Sequence, residues 1–308
     1  MTLPKSYLKY KHRHRGMDHD LYDYSPLPGR PPVRWPDARH KVALWVTVSL
    51  EYFPLKPADT PFRAPGHMVT PYPDLRTYTA RDYGNRVGIF RILEVFDRLG
   101  VKASFPTNSA LTRRTPRLIE EVAGRGHEFI GHGVDMNALS YGGLDMAKEK
   151  RQIRKALKDL RAATGRSVRG WLSPARSESE HTLEILGENG IDYVCDWVND
   201  DMPYPIKGGE HTLIAMPHTM ELEDLRLLVE LGQRESVWQS QIYSALETLR
   251  KEAAHQGGRI LHIALTPYVI GQAWRIKTLF ETLEVLMATP WVWNACGADI
   301  LDVWKAQQ

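Results

Sequence analysis

A chain of 308 residues with 43% hydrophobic and 25% charged residues has the composition of an ordinary globular protein and enough length for a large core. The 40 Lys and Arg against 37 Asp and Glu leave a formal charge of +3, too small and too dispersed for a nucleic-acid binder. No apolar run approaches the roughly eighteen residues of a membrane span. MTLPKSYLKYKHRHRG lacks the apolar stretch of a signal peptide, and Cys195 and Cys296 cannot build a disulfide framework, so a cytoplasmic location is expected.

The first 40 residues carry His12, His14 and His19 and the prolines Pro26, Pro28, Pro31, Pro32 and Pro36, without helical or strand period. They read as an extended arm lying on the body or on a partner subunit, because no ligand spacing completes a metal site. From Lys41 the pattern changes, and residues 41–308 are expected to form one domain. KVALWVTVSLEY is an apolar, β-branched run of the kind found in strands buried on both faces, and it ends at Glu51. After a Pro-rich loop, YGNRVGIFRILEVFDRLG has helical spacing and stops at Gly100. VKASFP is a strand, and TPRLIEEVAGRG a helix with Thr115 as N-cap and Pro116 in its first position. HEFIGHG is a strand running into a glycine-flanked His132.

Residues 144–164 read as a charged amphipathic helix, SVRGWLS as a strand, and SESEHTLEILGENG as a helix with a capping-box pattern. DYVCDW leads into the acidic loop NDDMPY, and HTLIAMP is a strand. Helical segments follow near 221–231 and 236–255, then the strand RILHIALTPY, a helix WRIKTLFETLEVLMATP and a last strand in PWVWNA. Repeated strand–helix units imply a parallel sheet, and the lack of a GxGxxG turn favours a closed barrel over a dinucleotide-binding open sheet.

In such a barrel, chemistry gathers on the loops after the strand C-termini. The polar residues there are Glu51, Thr107, Asn108, His132, Asp135, Ser173, Arg176, Asp196, Asn199, Asp200, Asp201, His218 and Thr266. Gly131 and Gly133 leave the His132 imidazole at the mouth. Asp200 and Asp201 belong to a crowded acidic loop, where neighbouring carboxylates raise one another's pKa and suit acid–base work. Arg176 is placed to grip a carboxylate or polarised carbonyl. Arg86 opens a helix whose dipole it opposes, which favours a ligand or Asp82 as its partner. The aromatic residues near strand ends, Tyr52, Trp171, Trp197, Tyr204 and Tyr268, suit stacking on sugars or planar ureides.

In order along the chain, PPVRWPDARHKVALWVTVSLEYF, DYGNRVGIFRILEVFDRLGVKASFPTNS, HEFIGHGVDMN, RGWLSPARSES, DYVCDWVNDDMPY and IALTPYVIGQAWRI resemble the polysaccharide deacetylase (NodB-homology) superfamily. The resemblance is nearest to its polysaccharide-deacetylase-type allantoinase branch. It implies an α/β fold, a deformed (β/α) barrel with seven or eight parallel strands, and hydrolysis of a non-peptide C–N bond. In the usual pattern an Asp–Asp pair after the first strand and two histidines serve a divalent metal and a base. This chain departs from it with Leu50-Glu51-Tyr52, with Met136 four residues after His132, and with Leu265-Thr266-Pro267 in place of a histidine acid.

The expected activity is therefore a metal-free hydrolase of a small-molecule amide or ureide, without a required cofactor. Glu51 would be the base, His132 would orient or protonate the leaving nitrogen, and Asp200 or Asp201 would adjust protonation. Arg86, Trp171, Ser173, Arg176 and Thr266 would bind substrate. One alternative is a zinc-dependent carbohydrate N-deacetylase acting on amino sugars, with the atypical ligands Glu51, His132 and Asp135. Another is a catalytically silent small-molecule binding barrel. No nucleic-acid or membrane partner is expected, and a homo-oligomer is, with the arm and the loop at 53–80 at its interface.

Overall fold

The computed structural model describes residues 18–56, 60 and 73–308. His12 and His14, and most of the 53–80 loop, lie outside these residues. Nine strands form one sheet: β1 (Val42–Val48), β2 (Ser104–Thr107), β3 (Glu128–Gly131), β4 (Gly170–Trp171), β5 (Tyr193–Val194), β6 (Tyr204–Gly208), β7 (His211–Ala215), β8 (Arg259–Leu265) and β9 (Val292–Asn294). Their order is β6-β7-β5-β4-β3-β2-β1-β8, with β9 also paired to β1.

All pairings are parallel except β6 with β7, so eight strands run parallel and β6 alone returns. This is the curled, deformed barrel expected, but it is not closed: β6 and β8 are the two ends of the strand path. β6 is not expected from the sequence: the acidic loop NDDMPY ends at Tyr204, and no strand is read over 205–208. A five-residue strand with prolines before and inside it, and only alternate residues buried, carries little period to find.

β1 is buried along its whole length because it separates two cores. Val42, Leu44, Val46 and Val48 face the helices, while Ala43 and Trp45 face the barrel interior. β8 runs along all of β1 on one side. On the other, β9 holds the first half of β1 and β2 touches only its end, at Thr47 and Ser104. The Asn294 amide joins the wedge by donating to the carbonyls of Leu44 (3.1 Å) and Lys102 (3.0 Å).

The helices are α1 (Leu75–Tyr83), α2 (Ile89–Leu99), α3 (Leu111–Arg114), α4 (Pro116–Gly124), α5 (Met146–Thr164), α6 (Thr182–Glu188), α7 (Glu235–Gln256), α8 (Pro267–Ile270), α9 (Ile276–Ala288) and α10 (Gly297–Lys305). α4 begins at Pro116 as read from sequence, although Thr115 makes no capping bond. α6 begins at Thr182; just before it, the Ser179 hydroxyl accepts from His181 N (2.9 Å) and donates to the Glu149 carboxylate (2.5 Å). A π-helical turn, Gly84–Gly88, joins α1 to α2, and another spans Leu225–Glu230. π-turns insert an extra residue and often occur at functional sites.

The described part of the arm, residues 18–40, lies on the body of its own chain. Lys207 N donates to Leu21 O (2.8 Å), Gly258 N to Val33 O (2.7 Å) and Arg34 N to Gln307 Oε1 (2.8 Å). Arg30 pairs with Asp200 at 2.5 Å. A cleft of about 430 Å³ remains between arm, β6 and the start of β8, with Leu21, Tyr204, Lys207 and Arg259 among its walls.

Candidate active site

At the C-terminal end of β1, Leu50 bridges to Thr107 and the chain turns outward at Glu51. The Asn108 amide fixes this turn to the next: its Oδ1 accepts from Tyr52 N (2.8 Å), and its Nδ2 donates to the carbonyl of His132. Asn85 Nδ2 donates to Glu51 O at 2.9 Å. His132 Nδ1 lies 2.6 Å from Leu172 O, so Nδ1 carries the proton and Nε2 is left as an acceptor. That Nε2 is buried, without a hydrogen-bond partner, and 3.5 Å from Glu51 Oε1.

Gly133 lets the chain turn away from His132. Its φ is +67°, and an added Cβ would lie 2.5 Å from Pro174 Cγ. The facing loop is strained in its turn, with Ala175 and Arg176 both left-handed at φ +57° and +53°. The strain directs Arg176 inward, where Nη1 donates to the carbonyls of Cys195 (2.8 Å) and His218 (3.2 Å) and Nη2 to His218 Nδ1 (2.7 Å).

Because a guanidinium can only donate, His218 must carry its proton on Nε2. Nε2 then donates to Thr47 Oγ1 (3.1 Å), and the Thr47 hydroxyl donates to His262 Nε2 (3.0 Å). Burial pushes both histidines well below their ordinary range, so each is neutral. Thr47 and His262 are polar residues inside apolar runs, a signal the sequence reading passed over.

Further buried carboxyl groups surround this array. Glu178 is pushed well above the carboxylate range by burial and by Asp196, so it holds a proton and shares it with Asp196. Asp196 also accepts from Ser173 N (2.7 Å), and Trp197 Nε1 donates to Glu178 Oε1 (3.2 Å). Asp224 is pushed up to about 8 by burial, although backbone N–H groups of Thr266 (2.9 Å), Ile270 (3.2 Å) and Leu225 (2.8 Å) donate to it. Arg81 and Glu51 both act on Tyr268. The Arg81 guanidinium stacks 3.8 Å from the Phe53 ring, and its Nη1 is buried without a partner.

The polysaccharide deacetylase family profile matches residues 77–194, the stretch holding the glycine-rich turn, His132 and Arg176. Over residues 77–194 the chain is similar to a polysaccharide deacetylase domain. Among solved structures, PuuE allantoinase is 23% identical with a TM-score of 0.81, over 94% of this chain and 98% of that one. A candidate polysaccharide deacetylase from Pseudomonas aeruginosa PAO1 is 22% identical with a TM-score of 0.78, over 91% and 96%. One from Mycobacterium smegmatis is 23% identical with a TM-score of 0.75, over 90% and 94%. At these identities the likeness is one of fold. No curated protein matches the chain.

Within the deacetylase fold, Glu51, His132 and Arg176 come together at the mouth, but several residues picked from sequence do not join them. Arg86 projects into solvent, 75% exposed, with Asp82 3.9 Å away. Its place beside Glu51 is taken by Arg81 and Asn85. Trp171 is buried in the outer core, and its Nε1 donates to Ser173 Oγ (3.0 Å), which engages both residues structurally. Thr266 lends its N–H to Asp224 and opens α8.

Asp200 and Asp201 lie on the loop between β5 and β6, against the arm. Asp200 holds Arg30 of the arm. Asp201 is raised by burial and Asp200 and feels Arg259, the first residue of β8, at the opposite end from Thr266.

The zinc reading fits poorly. Asp135 Oδ1 caps its own turn through Asn137 N (2.9 Å) and Ala138 N (3.0 Å), and the described residues contain no group of three or more His, Cys, Asp or Glu able to hold a metal. No helix among the described residues is long and apolar enough to cross a membrane.

Proposed function

We propose that the chain hydrolyses the C–N bond of a small-molecule amide or cyclic ureide, with Glu51 and His132 acting on the attacking water. The family match and the allantoinase- and deacetylase-like fold support a carbon–nitrogen hydrolase of the deacetylase type. The observation carrying the assignment of residues is the 3.5 Å gap between Glu51 Oε1 and the unpartnered His132 Nε2. Both atoms accept hydrogen bonds, so the group that satisfies them together is a donor with two hydrogens, and water is the smallest one. Glu51 takes one of its protons as the oxygen attacks the carbonyl, and His132 orients the other. His132, with Nδ1–H fixed on Leu172 O, acts as an acceptor in this geometry and not as the acid.

Arg81 supplies the substrate anchor. A buried Nη1 without a partner favours a ligand carbonyl or carboxylate, and Phe53 and Tyr268 offer flat apolar walls for a ureide ring. A cytoplasmic, homo-oligomeric enzyme completes the reading, and its solution mass by light scattering tests the oligomer.

The activity test is hydrolysis of allantoin, hydantoin and N-acetylglucosamine by chelator-treated and zinc-loaded protein in parallel. Turnover that survives chelation is expected. Turnover only with zinc would replace this reading by the metal-dependent deacetylase, and none with either would favour a silent binding barrel.

A further inference from the structure

We propose that Glu223 is the acid that protonates the leaving nitrogen, the part left open by Thr266. The inference rests on the hydrolase reading above. Asp224 anchors the chain here: its carboxylate is held by the backbone N–H groups of Thr266 (2.9 and 3.0 Å) and Ile270 (3.2 Å), at the C-terminal end of β8. The preceding residue, Glu223, is thereby set near the end of β8, within reach of the charges of Glu51 and Arg176. A π-helical turn starting at Leu225 follows directly.

Four charged side chains act on Glu223. Arg176 comes from the loop after β4 and Glu51 from the end of β1, while Glu230 and Arg226 belong to its own segment. The largest influences on the carboxyl are burial and these charges, with no hydrogen bond among them. Burial, helped by Glu51 and Glu230 and opposed by Arg176 and Arg226, pushes Glu223 up to about 7. An acid near neutrality is the kind that general acid catalysis needs. The other candidates are placed differently: Asp200 is paired with Arg30 of the arm, Asp201 feels Asp200 and Arg259, and Glu178 shares its proton with Asp196.

In the reaction the water oxygen bonds to the carbonyl carbon and Glu51 takes a proton from that water. The C–N bond breaks as the Glu223 proton passes to nitrogen, giving a carboxylic acid and an amine or ureido nitrogen. One water is consumed, and solvent exchange returns the Glu51 proton to Glu223. No oxidant or further reactant is needed.

Two measurements on the full chain test this. The first follows carboxyl ¹³C shifts of protein labelled in glutamate side chains between pH 4 and 9, for wild type and Glu223→Gln. One resonance titrating near pH 7 in the wild type and missing in the variant is expected. A Glu223 resonance titrating in the ordinary carboxylate range overturns the proposal, whether or not a substrate is known.

The second compares hydrolysis of allantoin and hydantoin. Glu223→Gln should lower kcat by about 10²- to 10⁴-fold, with KM within about threefold and the alkaline limb of the pH profile gone. Glu223→Asp should restore part of the rate and that limb. Rates within threefold of wild type in Glu223→Gln, with the limb retained, overturn the proposal. If the wild type hydrolyses neither probe, the hydrolase reading is what fails, and the NMR titration still decides whether Glu223 holds its proton to neutrality.

Discussion

Glu51 Oε1 and His132 Nε2 face each other across 3.5 Å, and one amide, that of Asn108, ties the turns that carry both. Glu51→Gln keeps the shape but removes the base, and His132→Ala removes the second acceptor. Each should lower kcat by at least about 10²-fold. Thermal unfolding of Glu51→Gln should stay within about 2 °C of wild type, and steady-state kinetics on the probe substrates check the loss.

Arg81 and Arg86 stand five residues apart but face different surroundings. Arg81→Ala should raise KM about tenfold, since its unpartnered Nη1 is the donor offered to substrate. Arg86→Ala should leave both kcat and KM within about twofold, because its side chain is 75% exposed. Paired kinetics on the two variants decide between them.

Asp200 is the hinge pin of the arm. Its side chain and that of Arg30 are 15% and 19% exposed, so Asp200→Asn leaves a partly buried guanidinium without its charge partner. The cost should be about 1–2 kcal/mol, read by urea unfolding, with kcat unchanged within twofold. A large loss of kcat at full stability would restore Asp200 to the chemistry.

Arg176→Lys removes the fork that holds two carbonyls and His218 Nδ1. A lysine cannot reach all three, and the orphaned groups should cost about 2–3 kcal/mol. Long-range ¹H–¹⁵N spectra should show His218 as one tautomer, protonated on Nε2, in wild type and as a mixture in the variant.

Acid stability should depend on His127, which lies against Phe96 and Phe105 and is pushed from its ordinary 6.5 to about 4 by burial. The folded state keeps it neutral while the unfolded chain binds a proton below pH 6.5. Its contribution is therefore complete above 6.5 and lost as pH falls from 6.5 toward 4. The loss amounts to about 3 kcal/mol, from 1.36 kcal/mol per pKa unit. His127→Leu should flatten that part of the Tm-against-pH curve, which calorimetry would record.

What was legible in the sequence was what period and punctuation encode. β1 shows as an unbroken apolar run, α2 as a helical stripe closed by Gly100, and His132 as a polar residue between glycines at a strand end. The misplaced residues depended on features without period. Arg86 looked suited to a ligand at a helix start, but Arg81, Asn85 and Gly88 share the face packed on the end of β8. A Cβ on Gly88 would lie 2.0 Å from Pro267 O, which shows how close that packing is.

Asp200 and Asp201 do lie on a strand-end loop, between β5 and β6, but the arm that meets it has no period that would show Arg30 as the partner of Asp200. Glu178 and Glu223 went unnoticed because a carboxyl group is pushed above the ordinary carboxylate range only through burial, and burial belongs to the fold and not to the residue.

The two ends of the barrel carry separate duties. At the base, Glu128 accepts from Ser104 Oγ (2.5 Å), Tyr193 OH (2.7 Å) and Ala298 N (3.2 Å), while the arm spans β6 and the start of β8. None of these ties reaches the mouth. A lineage or a designer can therefore exchange the loops around Glu51, Arg81 and Glu223 for a different substrate while the clasp underneath keeps the scaffold folded. Selection for new specificity and selection for persistence act on different residues of the same small chain.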